Sequence, residues 1–358
     1  MKIERKRPMY HPGSYVEDAI DALSMTRHEC AGRLNMSDKE LSELISGEHG
    51  LTAETARKLG GFFGTEPELW INLQNRYEMY VAEQAEEYGI ESDRPYLDHL
   101  DYAYFVRSGM VPASTDWHDR IVHLRKALRV ARLSALAKPD LLAMCRQATP
   151  KDGPETIVPR NAWMTIGLDR AAGMKTAAFD RKRFDAFVQE TRRAVTLDDG
   201  LEERLSGLAA DCGIALVILP EMPHANVNGV VKWIDADHVV LLLNAKGKYA
   251  DIFWFSLFHE LGHVRQMKKR LLIVDGEDEA LEAEADAFAR DVLIPPQPYA
   301  AFIGTGIYSE AAVLAFSASV GIDPGIVVGR LQKEGKLPYS HLNGLRKKID
   351  LDPFKTLS

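Results

Sequence analysis

The residues best suited to do chemistry stand together in Phe258-His259-Glu260-Leu261-Gly262-His263. On a helix, four residues turn through about 400°, so His259 and His263 point the same way to within about 40°. Two imidazoles one turn apart can hold one zinc ion. Glu260, about 100° round from His259, falls beside the open coordination position. A carboxylate there can take a proton from an activated water and later hand it to a leaving amine. Zinc brings the pKa of such a water down to about 7, so hydroxide is available at neutral pH. The pattern predicts bound Zn2+ and hydrolysis of a peptide bond, with Glu260 as the base.

A third ligand is needed, and an acidic helical stretch follows: Glu279-Ala-Leu-Glu282-Ala-Glu284-Ala-Asp286-Ala-Phe288-Ala289. Glu282 and Asp286 share a face. Glu282 can ligate the metal while Asp286, a turn on, orients a ligand histidine. Glu284 lies about 200° round from Glu282 and is expected to face away. Spacing does not choose an oxyanion-stabilising group among His224, His238 and Tyr299. The competing reading is a solvated charged helix whose histidines have only local partners.

The elements that must position these groups follow from the patterning. Asp251–Met267 is free of proline, and its leading residues, Asp251-Ile-Phe-Trp-Phe-Ser-Leu-Phe258, are bulky and apolar, which predicts a buried helix. Ala280–Ile294 is a second helix, stopped by Pro295-Pro296. Three short apolar runs precede them, Gly213–Leu219, Val227–Trp233 and His238–Asn244, and read as strands. Leu201–Ala210 reads as a helix, and two more, about 309–320 and 324–333, follow in the tail. The fold expected is α+β and mostly α, with three parts: residues 1–82, a helical connector over 83–198, and 199–358 around the metal site. In the connector, His118–Arg132 is amphipathic, Arg181–Val195 reads as a second helix, and Lys151–Pro159 is the best internal break. A helical connector is expected to hold orientation better than a Gly/Ser tether.

Several separated blocks in order resemble the ImmA/IrrE metallopeptidases: Phe253–His263, Glu282-x-Glu-Ala-Asp-x-Phe-Ala289, Leu293-Ile-Pro295, Gly229–Trp233 and Gly325–Leu331. The resemblance covers about 199–350. It implies a zincin-like core, zinc ligands His259, His263 and Glu282, base Glu260, and action on a regulator protein. Asp286 departs from the family, which commonly has asparagine there.

The first 82 residues read as five short helices. Ser14, Thr26, Ser37 and Thr52 offer hydroxyls for helix starts, and Gly47 and the Gly60–Gly64 region offer stops. Val16, Ile20 and Leu23 give the first helix its apolar side. The fifth runs from Glu66 past Trp70 and Leu73 to Tyr77. Thr26–Ile45 has the spacing of two helices around a tight turn at Asn35-Met36, with Ala31 small enough for a close crossing. Leu41-Ser-Glu-Leu-Ile-Ser-Gly47 and Gly64–Tyr77 resemble the HigA-type antitoxin branch of the lambda-repressor-like (XRE) helix-turn-helix family. By that geometry the third helix faces the DNA major groove, with Arg27, Ser37, Lys39 and Ser42 as contacts.

Charge argues the other way. Residues 1–82 hold 4 Lys and 6 Arg against 3 Asp and 10 Glu, a net of −3. Phosphate neutralisation carries much of DNA affinity. Protein docking or dimerisation therefore stays open beside DNA binding. Arg5, Lys6, Arg7, Arg33 and the 120–132 helix are further sources of basic charge.

The whole chain has 358 residues, a net charge of −8 and 46% hydrophobic residues. That describes a soluble protein without a global pull toward nucleic acid or anionic lipid. No apolar run approaches the roughly 18 residues that span a bilayer, and no apolar segment follows the basic start, so a cytoplasmic protein with no membrane association is expected. Cys30, Cys145 and Cys212 form no CxxC pair and are expected as reduced thiols. Two functional expectations remain: a transcriptional regulator with zinc endopeptidase activity on a protein such as a repressor, or a DNA-binding antitoxin or transcription factor whose zinc domain is a sensor or scaffold; a homodimer is an expected assembly under either.

Overall fold

Side-chain caps open the first helices of the chain. The computed structural model describes residues 9–138, 153–196, 201–245, 249–266, 272–274 and 279–349. It divides into two units, Met1–Ser92 and Asp93–Ser358. The first contains α1 (Pro12–Ala22), α2 (Arg27–Arg33), α3 (Asp38–Ser46), α4 (Ala53–Phe63) and most of α5 (Pro67–Leu97). Thr26 accepts from the Glu29 amide and Thr52 from the Thr55 amide, as their types predict. Ser37 and Glu40 make a reciprocal capping box, and α3 ends on Gly47 in the left-handed region, φ 78°. The α1 start differs from expectation. His11 caps it through Nδ1, with Pro12 in the first helical position, so Ser14 lies inside the first turn. Proline presets the helical φ and lacks only an amide that would have no partner there.

Val16, Ile20, Cys30, Ala31, Leu34, Leu41, Leu44, Leu59 and Trp70 form the core of this unit. Leu23 is left out of it, in the exposed cap of α1. Asn35, at the turn between α2 and α3, has a φ of 50°, which asparagine tolerates better than most residues. The fifth helix continues far beyond Tyr77. Its added turns are Glu/Gln/Ala-rich and largely solvated, so helix propensity extends it where no apolar period announces it.

The second unit starts within the stretch read as a connector. Its helices are α6 (Tyr102–Arg107), α7 (Trp117–Ala127), α8 (Pro154–Ala172), α9 (Arg181–Ala194) and α10 (Leu201–Asp211). A 3-10 turn at Leu133–Ala137 follows α7, so the amphipathic pattern of 118–132 outruns its helix. Strands β1 (Ile214–Leu219), β2 (Gly229–Trp233) and β3 (Val239–Asn244) lead to α11 (Ala250–Gln266), β4 (Leu272–Val274), α12 (Glu279–Leu293), α13 (Pro296–Gly304), α14 (Glu310–Val320) and α15 (Pro324–Lys333). The division thus falls at Ser92, not at 82 and 198. From Asp93 on, the described residues of the intervening stretch pack into the same unit as α11 and α12.

Specific contacts explain why. Trp163 of α8 is fully buried and donates its indole N–H to the Pro220 carbonyl at 3.0 Å. The Tyr104 hydroxyl donates to the same carbonyl. Phe184, Phe187 and Val188 of α9 join the main core with Trp254, Leu257 and Phe258. Pro159, read as part of a break, lies inside α8, with Pro154 at that helix's start. Lys151 and Cys145 lie outside the described residues, as do Met267 and Arg5, Lys6 and Arg7.

The sheet has strand order β1-β3-β2-β4. β1 runs parallel to β3, with Ile214 beside Val239, whereas β2 is antiparallel to both β3 and β4. β1 and β3 are buried at every position, which is why they read as unbroken apolar runs with no alternation. Among the described residues the chain is thus mostly helical with one small mixed sheet.

Candidate functional site

Two helices build the candidate metal centre. Trp254, Leu257, Phe258 and Leu261 sink α11 into the core, leaving its other side to carry His259 and His263. α12 lies across it, held at its far end by two arginines. Arg192 donates to the Val292 and Leu293 carbonyls, and Arg330 to those of Arg290 and Ile294. These cations bind carbonyls at the helix C-terminus, where the helix itself supplies few partners; the Arg290 carbonyl also accepts from the Ile294 amide. Gly262 allows the close crossing: a Cβ there would come within 3.1 Å of the Ala285 side chain and closer still to its backbone.

The result is a convergence of three donors. His259 Nε2 lies 3.1 Å from His263 Nε2 and 3.1 Å from Glu282 Oε2, and His263 Nε2 lies 3.4 Å from Glu282 Oε1. Donors about 2.1 Å from a tetrahedral ion stand roughly 3.4 Å from one another, so the three fit zinc. The outer ring nitrogens settle the tautomers. His259 Nδ1 is 2.8 Å from the Asp286 carboxylate, which, ionised, can only accept. His263 Nδ1 is 3.1 Å from Gln266 Oε1, and the Gln266 amide nitrogen donates to the Leu281 carbonyl. With both protons on Nδ1, both Nε2 lone pairs face the Glu282 carboxylate. Three acceptors aimed at one point suit a cation and suit each other poorly.

Gln266 is the residue that sequence reasoning missed. Its signal was available, since it stands three residues after His263 on the same helix. Glu284 is exposed and away from the cluster. Glu260 is 1% exposed, and its carboxyl lies against Gly229 at the start of β2. Any side chain on Gly229 would overlap that carboxyl, so the glycine shapes the space beside the centre. Of the oxyanion candidates, His238 holds Asp235 at the β2–β3 turn, the end of the hairpin away from Gly229. Tyr299 donates to Glu334 at 2.8 Å; burial and that carboxylate push its phenol pKa up. His224 is exposed, with a φ of 65°. The structure brings none of the three into the donor cluster.

The front unit presents α3 outward. Arg27 is ion-paired with Glu17. Lys39 is 83% exposed and 3.5 Å from Glu43. The Ser37 hydroxyl is used by the capping box, and Ser42 is exposed. His28 is 2.8 Å from Asp38, whose carboxylate raises the imidazole pKa.

No family model matches the chain. Among curated proteins, virulence-associated protein I of Dichelobacter nodosus is 30% identical over 82 residues, 23% of this chain and 76% of that protein. The uncharacterized HTH-type transcriptional regulator YddM of Escherichia coli (strain K12) is 33% identical over 73 residues, 20% and 78%. Among solved structures, an addiction module antidote protein of a HigA family from Coxiella burnetii is 31% identical, with 24% of this chain and 94% of that one covered and a TM-score of 0.22. Through its N-terminal quarter the chain belongs to the helix-turn-helix transcriptional regulators.

Among the described residues no single helix is long and apolar enough to cross a membrane.

Proposed function

We propose that this chain is a DNA-binding regulator that is also a zinc-dependent endopeptidase, hydrolysing a second protein regulator such as a repressor. The observation that carries the reading is the convergence of His259, His263 and Glu282, with each imidazole's outer nitrogen held, one by Asp286 and one by Gln266. The described sheet and the crossing of α11 and α12 are consistent with the zincin-like core that the ImmA/IrrE resemblance implies.

Zinc bound there would act as a Lewis acid toward a peptide carbonyl and a water. The protein's own part is distinct. Asp286 and Gln266 keep protons on Nδ1, so both Nε2 atoms remain donors of lone pairs. Glu260, one residue beyond His259 and screened from solvent, holds a carboxylate that can accept a proton and return it to a leaving amine. A purely structural zinc site has no use for that group. The α3 face, with Arg27, Ser37, Lys39 and Ser42, is the proposed DNA contact. Its acid-rich surroundings favour modest, salt-dependent affinity. The front unit directs the peptidase to its substrate, so short generic peptides are cut poorly.

The antidote protein among the solved structures favours a second reading, in which the zinc domain of an antitoxin-like regulator senses or scaffolds without cutting. One experiment separates the two. Zinc-loaded full-length protein and its Glu260→Gln variant are incubated with candidate repressor proteins of the helix-turn-helix class. Cleavage by the first and none by the second supports the peptidase; no cleavage by either, with DNA binding retained, supports the second reading.

A further inference from the structure

The helix faces that carry the metal donors continue past them. On α11, His259 is preceded at helical spacing by Ser256, Phe255 and Ile252. On α12, Glu282 is followed by Asp286, Arg290 and Leu293. The stretch beyond the donors borders a cavity of about 520 Å³, closed by residues of α15 and by Tyr339 and Arg346. That volume is in the usual range for a small-molecule site. It lies on the Nδ1 side of His259, behind the ring and away from the converging Nε2 atoms, because Asp286 and Phe255 are both in its wall. Asp286 reaches His259 Nδ1 at 2.8 Å, and the Phe255 ring is centred 6.3 Å from the imidazole.

The walls are of two kinds. Ile252, Phe255, Leu293, Ile294 and Ile326 supply an apolar surface. Most of the charged groups in the wall are already matched. Arg346 pairs with Asp251 at 2.8 Å, Arg330 with Glu334 at 3.0 Å, and Asp286 with His259. Arg290 and Lys333 are the exceptions: both are exposed, and among the described residues neither has a carboxylate within ion-pairing distance. Two unmatched cations at the rim of an apolar cavity suit one ligand chemistry, an apolar body bearing a single anionic group.

We propose that this cavity is an effector site for a small amphiphilic carboxylate, and that His259 senses its occupancy through Asp286. The carboxylate lies between Arg290 and Lys333, and the apolar body lies against Phe255 and Ile326. A filled cavity restricts the half-exposed Asp286 side chain to the rotamer that holds His259 Nδ1–H. Ligand and metal therefore bind with positive coupling, and the coupling is reciprocal. The cavity stands independently of the zinc reading; the coupling rests on it.

The test is calorimetric titration of the full-length chain with 2-naphthoate, in metal-free and in zinc-loaded protein. The neutral 2-naphthalenemethanol and the small anion acetate serve as comparators. The proposal expects saturable binding of one 2-naphthoate per chain and much weaker binding of both comparators. It also expects a loss of about tenfold or more in the Arg290→Glu/Lys333→Glu variant, one tenfold step being about 1.4 kcal/mol. Both positions are on the surface, and circular dichroism checks that the variant is folded. Equal binding of acid and alcohol, or an unchanged affinity in the variant, overturns the site. For the coupling, zinc-loaded protein should bind 2-naphthoate several-fold tighter than metal-free protein, and Asp286→Ala should erase that difference. Equal affinities in loaded and metal-free protein overturn the coupling. A chain that takes up no zinc overturns the metal reading and leaves the cavity to be decided by the metal-free titration.

Discussion

Gly262 of α11 faces Ala285 of α12 so closely that a Cβ on the glycine would stand 2.8 Å from the Ala285 Cα. This crossing sets the distance between the two histidines of one helix and the carboxylate of the other. Gly262→Val should force the helices apart, at a cost of about 1–3 kcal/mol for overpacking, and zinc affinity should fall more steeply than stability. Zinc titration and urea unfolding of the same variant check this. An unchanged zinc affinity would mean that the crossing does not position the donors.

Asp286 and Gln266 make a separate prediction, because each holds a donor without being one. Asp286→Ala and Gln266→Leu should each weaken zinc about 10- to 100-fold while leaving the stoichiometry at one. Competition with a metal-chelating dye measures it. A variant that loses all metal would be acting as a ligand, and one that loses none would have no orienting role.

How much of this was legible in the sequence depended on how local the cause was. Thr26, Ser37 and Thr52 announce their helices because a cap is formed within three residues. The 259/263 and 282/286 pairs follow from helical phase alone. Their convergence does not, since it depends on a crossing at Gly262 and on Arg192 and Arg330 anchoring α12 through hydrogen bonds that span 36 to 101 residues. The stretch after Asp93 was read as a connector for the same reason. What ties it to the sheet is Trp163 reaching Pro220, 57 residues away. His11 as a cap went unseen because imidazole is a rare cap and Ser14 a common one.

Asp93 and Arg125 show a further long-range tie. The Asp93 carboxylate is fully buried and accepts from Arg125 Nε at 2.7 Å and from the Leu133 and Ser134 amides at 2.6 and 3.2 Å. Asp93→Ala should destabilise the second unit by about 3–5 kcal/mol, because it leaves a guanidinium buried without its counter-charge, and two amides besides. Arg125→Met removes one partner of three and should cost less. Denaturant unfolding of the two variants decides it; the reverse order would show that the carboxylate is not the hub.

Glu40 gives the front unit a pH signature. The Ser37 amide and hydroxyl hold its carboxyl below the ordinary glutamate value of about 4.5. Ionised Glu40 thus favours the folded state above about pH 4.5, and that contribution is lost as pH falls through the lower folded value. Ser37→Ala should return Glu40 to the ordinary glutamate range, read by its carboxyl resonance in an NMR titration. Identical titrations in the two proteins would mean that the capping box does not form in solution.

The central claim is the three-donor zinc centre, and metal analysis of purified full-length protein tests it most directly. The account predicts one zinc per chain, lost in His263→Ala and in Glu282→Ala but retained in Glu260→Gln. Full zinc occupancy in Glu282→Ala, or a parent chain that binds no zinc, would contradict it.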